Sequence, residues 1–273
     1  MRHSGVEATA YLVNESRARC GELARDPLAV DWIPASERSA VRALWDEFAE
    51  AVYAHDDLVV SLRGRCVLEV LTEALRRDPD TVLVSCGAGF TSYPWVLPFR
   101  AAVEVDLPEI IQAKRQRVTE LRATGLIDDR DVTHIATDLT SGPARQELVE
   151  RVRTIAAGRP IAFVAEGLVY YLPPQAARAV IGLGAAIDPD ALTVVSYWPR
   201  AAAAHPVLAA QTRWFREHRV PEDATYLTVD DLSAVLGRRV DDNSPEQLQR
   251  RLLGKVAVPE RELIPEHVAV AGA

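Results

Sequence analysis

The rhythm of apolar and polar residues changes near residue 80. Before it, apolar positions recur at helical spacing. The stretch 8–25 has mixed helical periodicity and ends at Asp26-Pro27, Ser36-Glu37-Arg38-Ser39 opens a second helix running toward His55, and 62–77 reads as a third, stopped by Asp78-Pro79. From residue 81, short and nearly continuous apolar runs at 81–86, 101–105, 132–137, 161–165 and 191–197 read as strands, with helices predicted over 108–123, 144–157 and 174–187. Unbroken apolar strands alternating with helices predict an α/β fold, a parallel sheet covered on both faces. After Tyr197 the pattern weakens: 201–218 and 229–236 read as helices, the second opened by Thr228, then a helix near 245–253 and a strand-like run at 255–258. The expected organisation is one compact unit: a helical cap over 1–80, a core over 81–273, and a substrate-lid insertion near 198–226.

Right-handed crossovers place every strand C-terminus on one edge, where open α/β sheets bind ligands. That edge collects Gly87-Ala88-Gly89, Asp106, Asp138 and Glu166. Glycines without a Cβ let a ligand lie against the backbone. Asp106 ends the next strand 17 residues after Gly89, where a carboxylate can accept hydrogen bonds from both hydroxyls of a ribose. The order suits an adenosine-like ligand. Ser92 holds the third-glycine position of the dinucleotide fingerprint, which argues against a pyrophosphate cofactor.

Each feature has a plainer alternative. The glycines could serve only a tight turn. Glu104 and Asp106 share one side of their strand, and Asp106 could N-cap the helix opened by Pro108. Asp138 could cap the helix near Gly142-Pro143, or meet an adenine amino group. In the segment VAEGLVYYLPP, Glu166 stands at a strand mouth, and Tyr170 and Tyr171 could offer ring faces to a cation or fill the core. Arg63 could clamp a carboxylate, whereas Arg63 and Arg65 could equally form a solvated face.

Composition narrows the partners. The net charge of −8 argues against nucleic acid and anionic membranes, which demand a basic footprint. The basic residues are nearly all Arg, with only Lys114 and Lys255 as lysines. Cys20, Cys66 and Cys86 are odd in number and widely spaced, and no CxxC or Cys/His spacing suggests a metal site. No signal peptide and no apolar run near ~18–20 residues is apparent, so a soluble cytoplasmic protein with a small-molecule substrate is expected. Of six scattered histidines, only His205 falls near an expected substrate mouth. The oligomeric state is not legible.

These pieces together resemble the leucine carboxyl methyltransferase family, including its bacterial branch that O-methylates polyketides and other secondary metabolites. The resemblance covers most of residues 8–200, from ESRARCGELARDPLA through LRGRCVLEVL, SCGAGF, VEVDLPEIIQAKRQRV and ATDLT to AEGLVYYLPP. It implies a Rossmann-like class I methyltransferase sheet and S-adenosyl-L-methionine (AdoMet) as cofactor. It further implies Arg63 as the clamp on the methionine carboxylate, with Gly87, Ala88 and Gly89 under the methionine moiety. Asp106 becomes the ribose acid, Asp138 and Leu139 flank adenine, and Glu166 and Tyr171 lie near the amino group and sulfonium. The chain departs from the family at Thr91, Ser92 and Tyr93, which replace a polar cluster, at Val96, where an Arg is usual, and at Tyr170, which replaces an aliphatic residue.

The expected activity is methyl transfer to a carboxylate or hydroxyl, with Glu166, Tyr170 and Tyr171 nearest the chemistry. A carboxylate acceptor needs no base, whereas a hydroxyl does. The tyrosine pair and the altered loop motivate an alternative, closure of AdoMet's own amino-acid chain to azetidine-2-carboxylate or 1-aminocyclopropane-1-carboxylate with release of methylthioadenosine. A third possibility is a catalytically silent AdoMet-binding protein.

Overall fold

A computed structural model describes residues 6–218, 220 and 224–272. The expected lid near 198–226 falls partly outside these described residues. Five helices come first: α1 (Val6–Arg19), α2 (Gly21–Ala24), α3 (Ala29–Trp32), α4 (Arg38–Ala51) and α5 (Asp56–Arg77). The alternating region follows as β1 (Val82–Cys86), α6 (Tyr93–Val96), β2 (Ala102–Asp106), α7 (Pro108–Ala123), β3 (Val132–Ala136), α8 (Gly142–Ala156), β4 (Ile161–Ala165), α9 (Pro174–Ile181), α10 (Leu183–Ile187) and β5 (Leu192–Pro199). The last part comprises α11 (Pro206–Glu217), β6 (Tyr226–Leu227), α12 (Val229–Leu236), β7 (Asp241–Asn243), α13 (Pro245–Leu253) and β8 (His267–Ala271).

The strands form one sheet in the order β3-β2-β1-β4-β5-β8-β7, with β6 paired to the end of β5. Strands β1 to β5 run parallel, and β8 enters antiparallel beside β5. The connection leaves β1 toward β2 and returns to β4 on β1's other side. That reversal opens a crevice between the C-terminal ends of β1 and β4. Both central strands are buried on every residue, as two covering layers require. Val84, Val103, Phe163 and Val195 belong to the core on one face, and Leu83, Ala102, Val164 and Val194 to the core under α5.

The N-terminal region divides more finely than periodicity predicts. The helix expected over 8–25 breaks at Cys20, and α5 begins at Asp56, six residues before the expected start at Leu62. Arg63 therefore sits well inside a helix rather than at its opening. The helix expected over 201–218 is interrupted at His205-Pro206, where the His205 ring accepts from Val207 N–H and caps α11.

The run 255–258, expected to be strand-like, forms no strand. Its amides at Ala257 and Val258 donate to Oε1 of Gln249, and the Val258 carbonyl accepts from Gln249 Nε2. A buried glutamine thus replaces a neighbouring strand. The two terminal strands lie on either side of this run. The sequence Asp-Asp-Asn of β7 carries no apolar signal, and β8 pairs with β5 across a long loop.

Candidate active site

A cavity of about 420 Å³ opens at the C-terminal edge of β1, β2, β3 and β4, with α1 across it. Arg63, Gly87, Ala88, Gly89, Asp106, Asp138, Leu139, Glu166, Tyr170 and Tyr171 all line it. The sheet topology thus gathers these ten candidates in one place. Arg65 is not among them; it pairs with Glu69 one turn along α5 at 2.9 Å. His205 is spent on its helix cap and lies outside the lining.

The turn after β1 holds Gly87 at φ +66° and Gly89 at φ +44°, in the left-handed region that favours glycine. A Cβ on Gly87 would stand 3.0 Å from the Leu168 side chain, so this position is needed for packing as well as for backbone shape. Gly89 N–H donates to Asp106 Oδ2 at 2.7 Å, and Leu107 N–H donates to Oδ1 at 2.8 Å. Asp106 therefore ties the turn to β2 instead of capping α7, whose N-cap is Leu107 without a side-chain bond. Burial pushes its pKa up, and the two amides pull the other way. Each oxygen keeps acceptor capacity toward the cavity.

Two residues below, Glu104 is fully buried against the equally buried Lys114 at 2.6 Å. Lys114 Nζ also donates to the Thr91 carbonyl at 3.2 Å, which fastens the post-glycine loop to α7. Glu104 is a structural ion, and Asp106 is the acid of the pair that faces the cavity. Asp138 does not cap α8 either, because Ser141 does. Its Oδ1 accepts from Thr140 N–H and Oγ1–H, a local turn that holds the carboxylate exposed at the cavity mouth.

The opposite end of the cavity carries a buried charge cluster. Glu166 accepts from Arg17 Nη2 at 2.7 Å, Arg63 Nε at 2.8 Å and the Tyr93 hydroxyl at 2.5 Å. Burial alone would push its carboxyl up; Arg17 and then Arg63 overcome this, with help from Tyr93, and hold it at about 2. Arg63 Nη1 donates to Glu266 Oε2 at 2.6 Å, and Tyr170 donates to Glu266 Oε1 at 3.0 Å. Arg17 and Arg63 thus face Glu166 and Glu266, and Arg17 Nη1 also lies 3.6 Å from Asp26 Oδ2. Glu166, bound by three donors, is an anchor rather than a proton acceptor. Arg63 is not the free clamp the sequence suggests: Nε and Nη1 serve glutamates, and Nη2 is the edge left over, beside Gly167.

Tyr170 stacks on Trp198 at 4.2 Å with the rings 1° from parallel, and Tyr171 tilts against Tyr170 at 4.8 Å and Phe215 at 5.6 Å. One face of Tyr170 is therefore occupied by protein. Both hydroxyls have their pKa raised, first by burial and then by Glu266. Arg17, Tyr93 and Glu266 were not assigned roles from sequence. Arg17 carries a signal, being in the ESRARC segment of the resemblance, whereas Glu266 sits in a tail with no motif.

Residues 6–183 match the family described as Leucine carboxyl methyltransferase. A protein of Mycobacterium ulcerans (strain Agy99), provisionally assigned as an S-adenosyl-L-methionine-dependent methyltransferase, is 28% identical over 63% of this chain and 59% of its own length. A protein of Mycobacterium avium (strain 104) with the same provisional assignment is 30% identical over 63% of this chain and 58% of its own. The chain thus spans about three fifths of the length of these relatives. Among solved structures, a provisionally assigned methyltransferase from Thermobifida fusca YX superposes with a TM-score of 0.54 and 18% identity, covering 86% of this chain and 89% of that one. That likeness shows a shared class I methyltransferase fold. With the family match extending from α1 into α10, the chain belongs to the leucine carboxyl methyltransferase family.

Proposed function

We propose that this protein is an AdoMet-dependent methyltransferase acting on a small-molecule carboxylate. The observation that carries the reading is one cavity with Asp106 beside the Gly87–Gly89 turn at one end and the Glu166–Arg63–Arg17 cluster at the other. An acid beside bare backbone suits a ribose, and the charged end suits a zwitterionic amino acid. When bound, AdoMet supplies a methyl group already activated on a sulfonium.

The chain's own task is to hold and orient. Asp106 accepts from ribose hydroxyls, Arg63 Nη2 offers a donor to a carboxylate, and Asp138 and Leu139 border the adenine end. Tyr170 and Tyr171 line the cavity beside the Arg63–Glu266 pair, and aromatic rings there favour a cation. The choice of a carboxylate over a hydroxyl acceptor, both expected for this family's bacterial branch, is supported by the state of the described candidates for a base near the tyrosine pair. Glu166 is locked by three donors, both tyrosines are poor proton acceptors near neutral pH, and His205 is elsewhere. A carboxylate is already a nucleophile at neutral pH.

A second reading, closure of AdoMet's own chain, is favoured by the cavity's size. At about 420 Å³ it lies near the lower end of the roughly 300–1,000 Å³ range of ligand sites and leaves little room beside a nucleoside. Incubation with AdoMet alone separates the two. Methylthioadenosine supports ring closure, S-adenosylhomocysteine appearing only with an added carboxylic acid supports methyl transfer, and failure to bind S-adenosylhomocysteine overturns both.

A further inference from the structure

Helix α1 lies across the cavity and contributes Thr9, Ala10, Val13, Asn14 and Arg17 to its wall. Asn14 is 1% exposed, and its Oδ1 has no hydrogen-bond partner. Its amide orientation is fixed: Nδ2 donates to the Ala10 carbonyl at 3.1 Å, and the reverse placement would set oxygen against oxygen. A buried acceptor left without a donor is costly, and a mid-helix asparagine is a weak helix former. Neither feature is explained by packing within α1.

The position of Asn14 along the cavity is defined at both ends. One turn before it, the Ala10 Cβ is 3.8 Å from where a Cβ on Gly89 would stand. One turn after it, Arg17 Nη2 meets Glu166. Ala10 and Arg17 are roughly 10 Å apart along the helix axis, so Asn14 faces the span between the glycine turn and the charge cluster. The residues proposed to take ribose and adenine, Asp106, Asp138 and Leu139, line the same cavity.

Resting on the proposed seating of AdoMet, we infer that Asn14 is a ligand-binding residue whose Oδ1 accepts a hydrogen bond from the α-ammonium group of the amino-acid chain. Arg63 Nη2 takes the carboxylate of the same zwitterion. The site thereby discriminates nucleosides that carry an amino-acid tail from those that do not.

Calorimetry with three probes tests this: S-adenosylhomocysteine, its deamino analogue and methylthioadenosine. In Asn14→Ala, affinity for S-adenosylhomocysteine falls about ten- to a hundred-fold, while the deamino analogue and methylthioadenosine bind as they do to wild type. Equal losses for S-adenosylhomocysteine and the deamino analogue, or no loss for either, overturn the assignment; the latter is the result if a water satisfies Oδ1. Should Asn14→Ala fail to bind methylthioadenosine, the nearly isosteric Asn14→Asp decides, its protonated carboxyl donating to the Ala10 carbonyl in place of Nδ2. It keeps an acceptor, so its preference for S-adenosylhomocysteine over the deamino analogue stays at or above the wild-type ratio, and a collapse of that ratio overturns the inference. If wild-type protein binds none of the three probes, the seating of AdoMet itself fails, a result distinct from loss of discrimination alone.

Discussion

Arg63 and Glu266, 203 positions apart in sequence, meet at 2.6 Å between Nη1 and Oε2. Their side chains are 5% and 3% exposed. The contact joins α5 to the residue that precedes β8, so it links the helical cap to the last strand of the sheet. It also removes one edge of the arginine expected to bind ligand.

Breaking this pair should be costly, because an uncompensated charge would stay buried. Glu266→Ala is expected to lower the unfolding free energy by about 3 kcal/mol, the lower end of the buried-pair range since Arg63 keeps Glu166. Urea denaturation followed by circular dichroism measures it; a change below about 1 kcal/mol would contradict the buried-pair account.

Glu166 should make stability fall in acid. Its carboxyl is held at about 2 against an ordinary 4.5. A depressed folded-state pKa adds stability that is fully present above the unfolded value and disappears as pH drops from about 4.5 through 2. The shift corresponds to about 3 kcal/mol. Asp56 and Asp106, raised by burial, act with the opposite sign. Comparing denaturation of wild type and Glu166→Gln between pH 6 and pH 3 isolates the Glu166 part, which should be absent from the variant.

Asp106→Asn keeps the shape at the tip of β2 but removes the charge that binds Gly89 N–H and is proposed to receive the ribose. Affinity for S-adenosylhomocysteine should fall about ten- to a hundred-fold with an unchanged far-ultraviolet spectrum. Titration calorimetry reads this directly, and wild-type affinity in the variant would remove Asp106 from the site.

The tyrosine pair separates charge from shape. If ring faces steady a sulfonium, Tyr171→Leu should weaken AdoMet more than its neutral thioether product S-adenosylhomocysteine. The ratio of the two affinities should shift about two- to thirty-fold. Tyr170→Leu should shift it less, since Trp198 covers one face of that ring. An identical loss for both ligands would make the rings packing alone.

Much of the strand framework was legible because buried parallel strands carry their signature locally. The runs ending at Cys86, Asp106 and Ala165 are apolar stretches closed by a turn or an acid, and parallel connections bring their ends to one edge. The missed strands show the limit of that signal. Asp-Asn-rich β7 has no apolar alternation, and the run at 255–258 has it but spends its amides on Gln249.

The sequence by itself determined the alternating architecture, the glycine turn and the acids at the strand tips, since periodicity and strand ends are properties of neighbouring residues. The tertiary structure decided what those groups are free to do. Glu166 is saturated by Arg17, Arg63 and Tyr93, Arg63 is shared with Glu266, Tyr170 is stacked on Trp198, and Asn14, a residue of the cavity wall, is left with a buried unmet acceptor. The reason is physical: buried charges and polar atoms are satisfied by partners on distant elements, and chain folding alone chooses those partners.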